Sequence, residues 1–172
     1  MSPGLRKLYD ALNSHGGTVA ELLDDAGASD GGKPGPPQVA AAGPRTAAQP
    51  DEYELLLEMI LEGSHLHYGP QRLVRTDDPD LALLVGDELY ALGLARLAAL
   101  GDIDAIAELA DVISLVAQAH ASGDRELADA VWAAGAVAIG WGSNDQHAEA
   151  KRLARAGEPG ALEALRSGAR TV

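Results

Sequence analysis

Three features of the chain predict an all-α protein, built as an antiparallel up-and-down helical bundle. Apolar residues make up 47% of its 172 residues, yet there is no Phe and aromatics reach only 3%. A core of Leu, Ala, Ile and Val suits closely spaced helices better than a pleated sheet, where β-branched and aromatic residues are favoured. No stretch alternates polar and apolar residues over a strand's length. Gly101-Asp102 and Gly123-Asp124 each set a helix stop against a helix N-cap with almost no loop between, and such short connections force antiparallel neighbours.

Taken in order, residues 1–25 form an N-terminal amphipathic segment. Leu5, Leu8, Tyr9 and Leu12 fall at i, i+3, i+4 and i+7, one helical face. Two readings stay open: this face docks into a hydrophobic groove on a partner, or it folds back onto the chain's own bundle. Residues 26–50 are Gly, Pro and Ala with scarcely a large apolar side chain, and are expected to be a disordered linker.

From residue 51 to 172 a single helical bundle is expected. The first helix opens on acidic residues and ends at Gly69-Pro70; the second starts with Asp78 as N-cap and Pro79 at the first helical position. Asp102 and Asp124 cap the next two. Ser143, with Gln146 three residues on, reads as a capping box for the following helix. Glu54, Glu58 and Glu62 recur every four residues and read as a solvated acidic face.

A formal charge of −13 repels a phosphate backbone and anionic membrane surfaces, so no nucleic-acid partner is expected. The absence of cysteine excludes disulfides, thiol catalysis and thiolate metal sites. The longest apolar run, "AVWAAGAVAIGWG", is broken by glycine and falls short of the roughly 20 residues of a membrane span. With no apolar signal-peptide core at the N-terminus, a cytoplasmic location is expected.

The stretch "LALLVGDELYALGLARLAALGD" poses the sharpest question, because Gly86 and Asp87 interrupt an otherwise apolar helix. Glycine weakens a helix by about 1 kcal/mol relative to alanine. Ala82, Gly86, Tyr90 and Gly93 lie along one row, which lets a partner helix approach closely; Asp87 reads as a solvated residue on the other face or, if buried in the helix packing, as bonded to Ser64 or a histidine of the neighbouring helix. The same stretch, followed by "IDAIAELADVISLVAQA", resembles the helix pair of trans-isoprenyl (polyprenyl) diphosphate synthases that carries a G-D-x-L pattern. "LLLEMILEGSHLH" is similar to the helix before it, with Ser64 and His67 at matching places, so the resemblance runs from about Tyr53 to Ala121.

The catalysts of that family next carry DDxxD, whose carboxylates hold Mg²⁺ against an allylic diphosphate. Here Tyr68, Gly69 and Arg72 stand in that region, and the "DDPD" of Asp77 to Asp80 has the wrong spacing. The resemblance therefore implies a scaffold without the chemistry. It is closest to the small non-catalytic subunit of heterodimeric polyprenyl diphosphate synthases, which acts by pairing with a catalytic one. The expected partner is another protein, either such a synthase subunit or further copies of this chain. The alternative is a helical interaction module unrelated to isoprenoids, and a standalone Mg²⁺-dependent prenyltransferase ranks third because the carboxylate clamp is missing.

No catalytic or cofactor-binding residues are assigned, and no cofactor is expected. His65 and His67 diverge by about 200° on a helix. Only in a frayed turn could they converge with Asp77 or Asp78 as a nitrogen-oxygen metal site. Ser114 and His120 share one helix with no orienting partner. Trp132 and Trp141 read as core and helix-end packing.

Overall fold

The computed structural model describes residues 1, 3–24 and 34–170. Among them the protein is all-helical, with α1 (Pro3–His15), α2 (Gly17–Glu21), α3 (Pro36–Ala41), α4 (Pro50–Tyr68), α5 (Pro79–Leu100), α6 (Ile103–Ala121), α7 (Arg125–Trp141), α8 (Asp145–Ala156) and α9 (Ala161–Ala169). A lone antiparallel bridge, Leu23 to Val74, is the only strand-like pairing among the described residues. None of these helices is long and apolar enough to cross a membrane.

The single bundle expected over 51–172 is corrected by the way the chain divides. One unit comprises Met1–Pro37 and Asp51–Leu100, the other Gln38–Pro50 and Gly101–Val172. The boundary falls at the Gly101 stop, and the second unit recruits a segment from well upstream.

In the first unit, the apolar face of α1 is interior. Leu5, Leu8 and Leu12 are fully buried in a cluster with Val19, Met59, Leu66, Leu73, Val85 and Leu89, and Tyr9 packs at its edge. Burying each leucine contributes roughly 1.5–3 kcal/mol. Partner docking by Leu5, Leu8, Tyr9 and Leu12 is therefore corrected to packing within their own unit. After α2, Asp24 N donates to Leu73 O at 2.8 Å and Arg75 N to Leu22 O at 2.9 Å, tying this end to the segment between α4 and α5.

Against the second unit, the linker expectation for 26–50 fails where it can be judged. Residues 25–33 lie outside the described residues, but Pro36–Ala41 is helical, and Ala40 and Thr46 are fully buried. The low bulk of this segment is what seats it. Gly43 meets the backbone of Gly140 in α7 so closely that a Cβ would collide, and a Cβ on Gly140 would lie 2.6 Å from Ala40 O. Arg45 N then donates to Gly140 O, and Arg45 Nη1 to Ile139 O at 2.9 Å, placing a cation at the negative end of α7. Thr46 Oγ1 donates to Ala40 O at 2.8 Å.

Elsewhere in this unit the Gly-Asp junctions act as stop and cap. Gly101 and Gly123 adopt φ of 73° and 75°, while Asp102 accepts from Ala105 N and Asp124 from Leu127 N. The α8 cap is Asn144, which accepts from His147 N at 2.9 Å, so the Ser143 capping box is corrected by one residue. Trp132 is core, and Trp141 ends α7 partly exposed.

Candidate functional site

The α4–α5 seam of the first unit answers the Gly86-Asp87 question. A Cβ on Gly86 would sit 2.6 Å from the His67 ring; one on Gly93 would sit 2.5 Å from Ile60 Cγ1 and 2.8 Å from Leu56 O. Gly63 of α4 meets Gly86 O in the same way. The glycines are contact points between two helix backbones, and Ala82 joins them on the buried face. Asp87 does not belong to this packing row. It flanks the row, its side chain 71% exposed and its Oδ1 3.1 Å from His67 Nε2, which makes no hydrogen bond.

The space left by Gly86 is filled by imidazole. His67 stacks on Tyr90 with ring centroids 5.3 Å apart and planes 14° apart. Burial pushes the Tyr90 phenol up to about 12, with a hydrogen bond to Ser64 partly offsetting it. The four suggested metal ligands are not brought together. His65 lies against Gly69, whose would-be Cβ meets its Nδ1 at 2.7 Å, His67 faces Tyr90 and Asp87, Asp78 Oδ1 accepts from Asp80 N and Leu81 N as the α5 cap, and Asp77 lies with Gln71, Arg75 and Thr76. Among the described residues no three metal-ligating side chains form a cluster.

Of the row Glu54, Glu58 and Glu62 on α4, Glu58 and Glu62 are buried, contrary to the solvated face expected for them. Glu62 Oε1 accepts from Leu73 N at 2.8 Å and Val74 N at 2.9 Å. Glu62 Oε2 accepts from Arg72 Nε at 2.9 Å, and Arg72 Nη2 reaches Glu58 Oε2 at 3.0 Å. Arg72, noted in the sequence only for standing where an aspartate is wanted, is the cation that permits this burial.

In the second unit, a chain of side-chain hydrogen bonds and ion pairs links α6 to α8. His147 Nε2 lies 2.7 Å from Glu108 Oε1, and Lys151 Nζ bonds Glu108 Oε2 at 2.6 Å and Asp111 Oδ2 at 2.7 Å. Arg155 Nη2 closes the chain on Asp111 Oδ1 at 2.7 Å. Burial alone would pull the Lys151 ammonium down, but its bonds to Asp111 and Glu108 outweigh that and raise it. Burial would likewise raise the Asp111 carboxyl, and Lys151 with Arg155 holds it below its usual value instead. This chain lines a cleft of about 470 Å³ beside Arg45, Asp104 and Ser143. Both oxygens of Glu108 and both of Asp111 are engaged, so the cleft presents a balanced ionic network with neither carboxylate idle.

A different feature stands out on α5. Of its 22 residues only Asp80, Asp87, Glu88 and Arg96 are charged, and apolar side chains occupy both its buried and its outer side. Leu84 is 67% exposed and Leu83 45% exposed, and Ala91, Ala95, Ala98 and Ala99 are exposed beyond them. A helix that is apolar all round is characteristically covered all round. The signal is present in the sequence as the lack of a polar stripe along Leu81–Leu100.

No protein-family model, no curated protein and no solved structure matches this chain.

Proposed function

We propose that this chain is a non-catalytic helical protein that acts by associating with another protein, with the outer face of α5 as its contact surface. The exposed leucine pair Leu83 and Leu84, on a helix without a polar side, is the observation that carries this reading. The resemblance over Tyr53 to Ala121 adds a defined form of it: a shortened, isoprenoid-synthase-like antiparallel bundle serving in the cytoplasm as accessory subunit to a polyprenyl diphosphate synthase. The carboxylates of α4 favour the non-catalytic half, because Glu58 and Glu62 are drawn into the Arg72 pair.

The test compares the tagged wild-type chain with Leu84→Asp in pull-downs from the host. A protein held by the wild type and released by the variant, at unchanged melting temperature, supports association through α5. Equal recovery by both sinks it. Identification of that protein separates the synthase from an unrelated partner. Incubation of the pure chain with Mg²⁺, an allylic diphosphate and isopentenyl diphosphate is expected to give no product, and turnover would overturn the non-catalytic reading.

A further inference from the structure

The outer face of α5 is unlike at its two ends. Its N-terminal half carries the projecting Leu83 and Leu84, and its C-terminal half carries Ala91, Ala95, Ala98 and Ala99. At 3.6 residues per turn, Leu84, Ala91, Ala95 and Ala98 fall within about 40° of one line along the helix. Beside the alanine half, a groove of about 470 Å³ opens in the same unit. Met59, Leu92, Ala95 and Ala99 line it, with Arg96 and His15 at the rim.

We propose that this face pairs with the same face of a second copy of the chain, the two α5 helices running antiparallel about a two-fold axis near Ala91. The inference rests on α5 being the association surface and names what covers it. A face bearing both a projection and a matching recess is self-complementary, and a two-fold axis uses each of them twice. Setting Leu84 against Ala98 and Ala99 of the second copy puts the axis between Ala91 and Leu92. That register sets the edge bearing Glu88 against the like edge of the second copy, where Arg96 is already held by Glu52 at 2.7 and 2.9 Å, so the fit rests on the projection and the recess and not on a new ion pair. The small residues at the centre allow the axes to approach to about 8 Å.

Parallel pairing lacks these matches. It stacks leucine on leucine, leaves the alanine half unfilled, and sets Asp87 near Glu88 of the second copy. Antiparallel helices also bring the acidic first turn of one α5 toward the C-terminal end of the other, in line with the helix dipoles. One helix face about 33 Å long lies at the small end of specific interfaces, so the pair is reversible, with a dissociation constant in the micromolar range.

The absence of cysteine makes the test clean, because each substitution reports a single position. Ala91→Cys is expected to cross-link to itself on mild oxidation, and Leu84→Cys to cross-link with Ala98→Cys but not with itself. In sedimentation, the wild type is expected to dimerise as concentration rises, and Leu84→Asp to weaken the dimer by about tenfold or more. Self-cross-linking of Leu84→Cys, failure of Ala91→Cys, or a wild type monomeric at about 100 μM each overturns the proposal. In that last case, carbene footprinting of the dilute chain separates two failures. Labelled Leu83 and Leu84 mean that the face is open to a different protein and self-pairing alone is wrong. Protected leucines mean that the chain covers its own α5 face, and the association reading falls as well.

Discussion

Each unit must hold one irregular segment against its helices, and the two do so by different physics. In the first, the stretch after α4 is fixed by charge: Glu62 is fully buried and takes two backbone amides and the Arg72 guanidinium on its two oxygens. In the second, residues 42–49 are fixed by the absence of side chains, Gly43 lying on Gly140, with Arg45 and Thr46 satisfying carbonyls around the contact. A buried carboxylate is strong while complete and severe when broken. A glycine contact tolerates polar change nearby but not one added carbon.

The largest effect expected from this contrast is at Glu62. Glu62→Ala strands two buried amides and a guanidinium, and should cost about 3–5 kcal/mol in urea unfolding, the range found when one partner of a buried pair is removed. Glu62→Gln keeps an acceptor oxygen and should fall between that variant and the wild type. A loss below about 1 kcal/mol for Glu62→Ala would mean that the charge does not hold the segment.

Gly140 gives the corresponding test in the second unit. Alanine in place of glycine inside a helix ordinarily stabilises by about 1 kcal/mol. Here the added Cβ meets Ala40 O at 2.6 Å, so Gly140→Ala should destabilise by roughly 1–3 kcal/mol, the usual cost of overpacking. Gly168 in α9 is the control. Nothing lies within 4 Å of its would-be Cβ, and Gly168→Ala should stabilise by about 0.5–1 kcal/mol. Opposite signs for the two variants in parallel melts would confirm that close approach selects Gly140. A stabilising Gly140→Ala would remove the contact from the account.

These two segments also mark how far the sequence could be read. The helices were legible because their signals are local: Asp102 and Asp124 after glycines, Asp78 before Pro79, and the i, i+3, i+7 leucines of α1. The residues that join elements were not, because their partners are distant in sequence. Glu58 and Glu62 look like a surface row until Arg72 is seen to reach them. The Gly/Pro/Ala stretch looks unable to order itself until Gly140 supplies the surface it packs on. The glycines of α5 sit where His67, Ile60 and the Leu56 carbonyl press close, within the spacing of one helix, whereas Glu108 lies about forty residues from His147 and Lys151 and offers no motif to find. The open side of α5 was legible in composition, since a helix so poor in charge has no side suited to water.

The smallest effect concerns the ionic chain between α6 and α8, which touches no irregular backbone and so should matter less than Glu62. Its pH dependence can be stated by sign. Asp111 is held below its ordinary value of 3.8 by Lys151 and Arg155. Its stabilising contribution is complete above that value and fades as pH falls through the lower folded one. Lys151 is held above 10.5 by Asp111 and Glu108, so its contribution is complete below 10.5 and fades as pH rises through the folded value. Between these limits the two contributions are flat. Because Asp111 is partly exposed, solvent screens much of its pairing and the acid effect is small. Urea midpoints taken across pH should therefore show a slightly steeper acid decline for the wild type than for Asp111→Asn, with the two curves parallel near neutrality. If the asparagine variant instead declined more steeply in acid, Asp111 would not be the depressed carboxyl of this chain. The α6–α8 contact would then depend on Glu108 and its bonds to His147 and Lys151, a buried carboxylate acting much as Glu62 does in the first unit.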